Sequence, residues 1–591
     1  MLAGLDVGGT YTDAVLLDSK QGLRLAAVKA PTRPDSVLPG IIEALEKLFE
    51  GRAGDTGQVR RLTVSSTLGL NALLTGNTEP VGVLALPGPG IDPGLFWGAD
   101  PLFRVLPGAQ DHRGRVTAEP DARAVNEALL SLKKRGARAL AVVCKFSPKN
   151  PELEKRLAAE ARNVFGPDTP VVLGSECGGS LNFPRRLHTA WCNAALHATS
   201  RDFLRALRVA AHNLGLSCPV HVLKADAGSF SADAAARDTA STMGSGPAAG
   251  LLGVLAMAEW SGAASMRGEA AHADKIMLDM GGTSTDIALM AGGQPLLADK
   301  GLTVNGRPTL IRTLWTKSIA LGGDSSLRLE AGRPRVGPDR SGPALALCPD
   351  ERDAEGRFSR PPTLTDALNT LGCTALGDVE ISRAAFVRLA ADDAAAARAG
   401  GFDGRPETLA GLFLECALTR IREETLALLE EVGSQPVYTI RELLIDKKTA
   451  PEKVVFIGGP AQSLRAELEK TLGLPVLAPE ESPFANALGA ALARPTKAAE
   501  LHADTLLGRM TIPDFDIEKK VSHDYRLDDA TQDMAAAFAR AFAHETGNAG
   551  AAQVQTVFAE SFAVLDPSGR RGRILRVRSQ YAPGLDLQDN P

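Results

Sequence analysis

The sequence predicts an α/β protein built from two related halves that face a shared ligand. Three observations predict it. The segments Leu5-Asp6-Val7-Gly8-Gly9-Thr10-Tyr11-Thr12-Asp13-Ala14 and Leu278-Asp279-Met280-Gly281-Gly282-Thr283-Ser284-Thr285-Asp286-Ile287 share one pattern, apolar–Asp–x–Gly–Gly–Thr–x–Thr–Asp–apolar. Residues 1–190 alternate short apolar runs with amphipathic stretches, the signature of α/β layering. At 591 residues the chain is long enough for three or four units with full cores.

Each repeat is expected to be a β-hairpin. A short apolar run ends in Asp, two glycines make a tight turn, and Asp13-Ala14-Val15-Leu16-Leu17 or Asp286-Ile287-Ala288-Leu289-Met290 returns as a strand. The runs Gly82–Leu86, Ala139–Val143 and Val171–Leu173 read as buried strands, with a helix from Ala124 to Arg135 between two of them. An Ala-rich helical stretch follows over residues 186–215. Ser245-Gly246-Pro247 reads as a helix start, capped by Ser245 or Gly246 with Pro247 in the first turn. Residues 330–362 are rich in Gly, Pro, Asp and Arg and read as a surface loop or hairpin insertion. Ile381 to Leu429 reads as helix broken at Gly400-Gly401. Lys453–Ile457 is a core strand ending at Gly458-Gly459, and Leu474–Leu477 a short edge strand because of Pro475. Asn486-Ala487-Leu488-Gly489-Ala490-Ala491 opens a tightly packed helix. The role of the residues from about 500 onward is not readable.

The paired hairpins suggest a ligand held from both sides, best matched by a nucleoside triphosphate. Glycine tips let phosphate approach the backbone amides, and the threonine hydroxyls add donors. The Asp carboxylates cannot face phosphate bare, which implies Mg²⁺ or metal-bound water between them. Two ordinary Gly-Gly hairpins are the competing reading, and the matched Asp, Thr, Thr and Asp argue against it.

Composition narrows the class. Apolar residues make up 44% and charged residues 23%, with a formal net charge of −5, so no broad polyanion-binding surface is implied. The basic run Gly569-Arg570-Arg571-Gly572-Arg573 reads as a solvated loop. No apolar stretch reaches about 18 residues, and Met1-Leu2-Ala3-Gly4 leads into a strand without signal-peptide regions. Seven scattered cysteines without C-x-x-C fit free thiols in a reducing cytoplasm and lack the clustering of iron–sulfur ligands. His188 and His197 flank the expected domain junction and read as members of a helical face.

The hairpin pair resembles the phosphate-1 and phosphate-2 signature of the actin, sugar-kinase and chaperone ATPase superfamily. Ser245-Gly246-Pro247-Ala248-Ala249-Gly250, Thr63–Leu74, Pro362-Thr363-Leu364-Thr365-Asp366-Ala367 and Phe456-Ile457-Gly458-Gly459-Pro460-Ala461 narrow it. They are similar, in order, to S-G-P-A-x-G, H-G-T-T-x-x-T-N-A-L-L, P-T-V-T-D-A and F-G-G-A-G-P of the hydantoinase A / 5-oxoprolinase family. Leu223–Ser229 matches that family's Q-S-N-G-G stretch more weakly. The resemblance implies two ribonuclease-H-like domains facing a nucleotide cleft, with insertions. The implied units are an N-terminal domain over 1–190, an ATPase domain over 191–498 and a C-terminal α/β extension over 499–591. It also implies ATP and Mg²⁺, with Asp6 and Asp279 on the metal. Gly8, Gly9, Thr10, Thr12, Gly281, Gly282, Thr283, Thr285 and Gly246 would hold phosphates, and Gly458 and Gly459 the adenosine. Asp13 or Asp286 would orient a nucleophile or simply the hairpin.

The chain departs from the family where substrate or metal would be read. D-x-H-T-x-G-A-G-G-G-S becomes Trp315-Thr316-Lys317-Ser318-Ile319-Ala320-Leu321-Gly322-Gly323-Asp324-Ser325, the opening His of H-G-T-T falls on Val64, and the E-R-T stretch becomes Arg185-Arg186-Leu187. A protonated Lys cannot ligate a metal. Lys317 is a candidate to bind a substrate carboxylate or phosphate, or a plain surface lysine. The expected activity is ATP-dependent hydrolysis of a cyclic amide such as a hydantoin or 5-oxoproline, through phosphorylation of the carbonyl oxygen. The alternatives are a small-molecule kinase and an ATPase subunit that drives a partner protein. The expected partners are a small molecule and a second subunit of hydantoinase B type, in a homo- or hetero-oligomer, with neither nucleic acid nor membrane.

Overall fold

Both repeats fold as β-hairpins. In the first, Leu2–Val7 and Tyr11–Asp18 pair antiparallel with Asp6 opposite Asp13. In the second, Lys275–Met280 and Thr285–Ala291 pair with Asp279 opposite Asp286. A turn bond closes each tip, Gly8 N to Tyr11 O at 3.0 Å and Gly281 N to Ser284 O at 3.0 Å. The first strand of each hairpin also has a parallel neighbour, Arg61–Ser66 in one half and Lys453–Gly458 in the other. Each neighbour feeds a helix, Leu68–Thr75 or Ala461–Leu472. The repeated sequence is therefore a repeated topology. The computed structural model describes residues 1–18, 23–32, 37–260, 273–298, 300–351, 358–392, 403–434, 450–546 and 554–586.

The first sheet runs Ser229–Ser231, Val220–Leu223, Arg61–Ser66, Leu2–Val7, Tyr11–Asp18, Leu23–Pro31. It takes in strands beyond residue 190, the expected end of the first domain, because the helices Phe183–Ala195 and His197–Asn213 return the chain to the same sheet. A parallel sheet of Val171–Leu173, Ala139–Cys144, Val81–Leu86 and Phe103–Val105 is inserted in this half. Its strands are apolar on both faces because both faces are covered. Ala122–Lys134 and Glu152–Phe165 pack on one side and Phe183–Ala195 on the other.

The second sheet runs Gln294–Pro295, Thr285–Ala291, Lys275–Met280, Lys453–Gly458, Val476–Leu477, with Thr316–Ile319 also paired to Thr285–Ala291. Val476–Leu477 lies at the edge, as Pro475 requires. The helices Val379–Asp392 and Pro406–Gly433 pack their apolar residues onto this sheet's core. The helix break expected at Gly400-Gly401 lies outside the described residues. The Gly- and Pro-rich segment opens as a hairpin, Ser325–Glu330 against Arg333–Arg340. Residues beyond Lys497 form an antiparallel sheet of five strands covered by the helix Leu527–Thr546. Among the described residues no helix is long and apolar enough to cross a membrane. All seven cysteines are free.

Between the two hairpin sheets lie the helices Ser245–Trp260 and Ala485–Leu492, whose side chains join both sheets in one core. The contacts are backbone to backbone. A Cβ on Gly489 would sit 2.0 Å from Ala249 O, one on Gly253 would sit 2.1 Å from Ala485 O, and one on Gly4 would sit 2.1 Å from Ala487 O. Backbone cannot yield as a side-chain tip can, so a methyl group here must push whole elements apart. Gly489→Ala is expected to lower the unfolding free energy by about 1–3 kcal/mol, read as a reduced urea midpoint at unchanged m-value. A midpoint within error of wild type would show that the helix shifts freely.

Candidate functional site

The tight central helix brings one side chain to both hairpins. Asn486, at the start of Ala485–Leu492, donates from Nδ2 to Asp279 Oδ2 at 2.8 Å and to Asp6 Oδ2 at 3.3 Å. Its Oδ1 is buried without a hydrogen-bond partner. Ser65 Oγ, on the strand parallel to the first hairpin, donates to Asp6 Oδ1 at 2.5 Å. Asp13 pairs with Lys29, and Asp286 faces Ser318 across the sheet and accepts its hydrogen bond. Two hairpins, two parallel strands and one helix thus gather four carboxylates.

Burial drives their chemistry. It raises Asp6 above the usual carboxylate range against the hydrogen bonds of Ser65 and Asn486. It lifts Asp13 to about 6 despite Lys29, and Asp286 to about 6 despite Ser318. Asp279 is pushed up to about 7, first by burial and then by the negative charge of Asp286. Like charges facing each other across strands repel, and among the described residues no cation offsets this at Asp279.

The tips meet in front of these acids. A Cβ on Gly282 would lie 2.8 Å from Thr10 Oγ1 and 2.6 Å from Asp324 Oδ2, and one on Gly9 would lie 3.8 Å from Thr283 Cγ2. Beyond the acids, the strand Lys453–Gly458 ends beside Met280. Gly458 has φ +96°, and a Cβ there would sit 2.2 Å from Met280 O, so only glycine fits. Gly459 has open space around its Cα. The helix Ser245–Trp260 starts against the end of the Arg61–Ser66 strand. Ser245 Oγ exchanges bonds with Ser66, accepting from N at 3.1 Å and donating to O at 2.9 Å. The expected cap is therefore spent on locking the helix to this turn, and Gly246 is buried, with Thr67 Cγ2 3.4 Å from where its Cβ would be.

Several expected site residues are placed otherwise. Thr12 and Thr285 are fully buried behind their tips; Thr12 Oγ1 shares a hydrogen bond with Thr32 Oγ1 at 2.9 Å and Thr285 Oγ1 donates to Leu321 O at 2.6 Å. Strand alternation turns them inward, so they hold the hairpins and do not reach a phosphate. Lys317 is paired at 2.6 Å with Glu424 on Pro406–Gly433, and Trp315 packs on the core of that half. Asn486, Ser65, Asp324 and Arg340 were not singled out by motif. The usable signal for Asn486 was a lone polar side chain at the head of a run of Ala, Leu and Gly.

A magnesium nucleotide fits this arrangement. Among the described residues no group of three or more His, Cys, Asp or Glu side chains is gathered to cage a metal. Mg²⁺ takes one or two carboxylates and completes its shell with water and phosphate oxygens, which is what Asp6 and Asp279 at the base of two glycine tips provide. A divalent cation would also offset the repulsion that raises Asp279. The sign of the linked stability follows. A carboxylate raised from 3.8 to about 7 keeps its proton longer in the folded protein, so folding stability without metal falls as pH rises from about 4 to about 7. Asp279→Asn should remove that loss, stabilising the metal-free protein at pH 7.5 by on the order of 1–3 kcal/mol. The same change should abolish the stabilisation by Mg²⁺ and nucleotide. Parallel stability–pH curves for variant and wild type would refute this.

With this geometry in place, comparison with known proteins is direct. The hydantoinase/oxoprolinase family profile matches residues 186–499, and the profile of the hydantoinase/oxoprolinase N-terminal region matches residues 2–165. Caprolactamase subunit alpha of Pseudomonas jessenii is 24% identical over 399 residues, 63% of this chain and 55% of the relative. The 5-oxoprolinase of Saccharomyces cerevisiae is 26% identical over 427 residues, 62% of this chain and 31% of the relative. The acetophenone carboxylase gamma subunit of Aromatoleum aromaticum is 27% identical over 413 residues, 62% of this chain and 52% of the relative. The chain therefore spans about half the length of two of these relatives and about a third of the other. Among solved structures, nucleotide-free acetone carboxylase aligns with a TM-score of 0.70 at 18% identity, covering 98% of this chain and 87% of that one. The ATP-dependent caprolactamase from Pseudomonas jessenii aligns with a TM-score of 0.68 at 20% identity, covering 100% and 88%. At these identities the likeness is one of fold alone, an α/β architecture shared over nearly the whole chain. The profile matches, carrying both hairpins, assign the chain to the hydantoinase/oxoprolinase family.

Proposed function

We propose that this chain binds Mg-ATP between its two hairpins and uses it to open a cyclic amide, acting with a second subunit. The observation that carries the reading is the Asn486 bridge between Asp6 and Asp279, which couples the two phosphate-facing hairpins through one amide. Asp6 and Asp279 would hold the metal, with Ser65 fixing the Asp6 carboxylate. Gly8, Gly9, Thr10, Gly281, Gly282 and Thr283 would take the phosphates, and Gly458-Gly459 the adenosine. Asp13 and Asp286, each held by a neighbour, would keep the hairpins in register. Bound ATP supplies a phosphoryl group to the amide oxygen, so that water adding at the carbon opens the ring and leaves ADP, phosphate and an amino acid. Positioning and charge neutralisation do most of this work.

Two relatives named for cyclic-amide or oxoproline chemistry, a caprolactamase and a 5-oxoprolinase, support the substrate class. The involvement of a partner is supported by relatives whose own names are those of subunits. Lys317, where the family pattern has a histidine, is paired with Glu424 of this same chain. Seven free cysteines favour a reducing compartment.

ADP release with Mg-ATP should rise several-fold or more on adding a responsive lactam from a panel of hydantoins, 5-oxoproline and larger rings. A co-purified partner should raise it further, and Asp279→Ala should reduce it to background. Turnover that ignores every lactam but responds to the partner alone would move the assignment to a partner-driven ATPase. A phosphorylated product in equal amount to ADP would identify a kinase.

A further inference from the structure

Arg340 sits across both hairpin tips. It ends the inserted hairpin strand Arg333–Arg340, and its Nη2 donates to Thr10 Oγ1 at 3.0 Å and to Asp324 Oδ2 at 2.9 Å. Its Nε donates to the same carboxylate oxygen at 3.2 Å, and Thr10 Oγ1 adds a third donor group at 3.3 Å. One carboxylate oxygen is thus held by a guanidinium and a hydroxyl, directly against Gly282. The turn that carries it is strapped to the second tip, with Gly323 N on Gly281 O at 2.9 Å and Asp324 N on Gly282 O at 2.7 Å. Thr365 fastens the turn from behind, donating from N and from Oγ1 to Gly323 O, each at 2.9 Å. About a third of the Arg340 side chain remains exposed (33%).

Charge decides what such a group is for. The hairpins carry four carboxylates, and Lys29 is engaged by Asp13. Any polyphosphate entering between the glycine tips adds negative charge where Arg340 touches the first tip through Thr10 and reaches the second through Asp324. A guanidinium presents two edges, so it can keep Asp324 on one and accept a phosphate on the other. We propose that Arg340 contacts the terminal phosphate of the bound nucleotide and so distinguishes ATP from ADP, while Asp324 positions it. The inference rests on the Mg-ATP reading given above. Asp324 Oδ2, held by Arg340 Nε and Nη2, fixes the guanidinium so that its other edge is free to receive a phosphate oxygen. The release of Thr10 from Arg340 links the arrival of that phosphate to the first hairpin. Asp324 stands where the family pattern has glycine, so the residue that positions Arg340 belongs to the rewritten segment of this chain.

The test is equilibrium binding of Mg-ADP and of a magnesium-bound, non-hydrolysable ATP analogue to wild type, R340A, R340K and R340Q. Thermal unfolding without nucleotide is recorded for each. One charge-assisted contact is worth about 1.5–3 kcal/mol, so R340A should bind the analogue roughly 10- to 100-fold more weakly. ADP affinity should stay within about 3-fold, because ADP lacks the group that Arg340 reads. R340K should recover part of the loss and R340Q little. R340Q keeps the aliphatic stem and a polar tip without the charge, and so tests the same point if R340A fails to fold. Equal losses for both nucleotides, a preserved analogue preference in the variants, or a wild type that binds the two alike would overturn the assignment of Arg340. A wild type that binds neither nucleotide would remove the Mg-ATP reading itself, and this inference with it.

Discussion

The geometry of the site depends on one hydrogen-bonding amide held in place by missing side chains. Asn486 reaches Asp6 and Asp279 because the helix that carries it lies in backbone contact with the first hairpin at Gly4 and with the helix Ser245–Trp260 at Gly253 and Gly489. Each of those contacts is closer than any Cβ allows. Adding bulk would therefore do more than open a void or crowd a core. It would lengthen the Asn486 bonds and separate the two halves of the site together. Stability and site geometry are set by the same close contacts.

That economy has an electrostatic cost. Facing carboxylates in each hairpin are buried together, and their raised proton affinities record how poorly the folded protein solvates four negative charges. Asp13 alone of the four has a cation in direct contact among the described residues, Lys29, which also acts at longer range on Asp6. Asp6, Asp279 and Asp286 are met by neutral donors, Ser65, Asn486 and Ser318. The two hairpins therefore differ within one motif: the first carries a counter-charge of its own, and the second has none among the described residues.

Much of this was legible in the sequence, for a physical reason. A hairpin with a glycine tip is a local structure, written in consecutive residues, so both hairpins and the edge strand with Pro475 could be read directly, and the inserted hairpin as one of two alternatives. The motif itself misled where side-chain direction matters. Thr12 and Thr285 belong to the repeat but point inward, because alternate residues on a strand face opposite ways. The sheet membership of Val220–Leu223 and the meeting of Thr10, Asp324 and Arg340 depend on long-range placement that no local pattern encodes. Lys317 was ambiguous as a lone charge, and its partner lies on a distant helix.

The terminal extension completes the mechanical picture. Its sheet is joined to the first half by a paired Arg113–Asp504 contact of 2.6 Å, by His502 Nε2 at 2.7 Å from Gly179 O and by Thr511 Oγ1 donating to Pro148 O at 2.9 Å. Its last described residues return to the centre, where Arg61 binds Asp586 at 2.8 Å and the carbonyls of Ala491 and Ala493 at the end of the Asn486 helix. The extension therefore grips the first half and the base of the central helix at once. The second half meets the first at the hairpin tips through Thr10, Asp324 and Arg340, and again where Arg307 donates to Trp97 O at 2.6 Å and Leu310 N to Thr189 Oγ1 at 2.9 Å. Polar contacts of that kind break and re-form at far lower cost than the glycine-lined packing behind them.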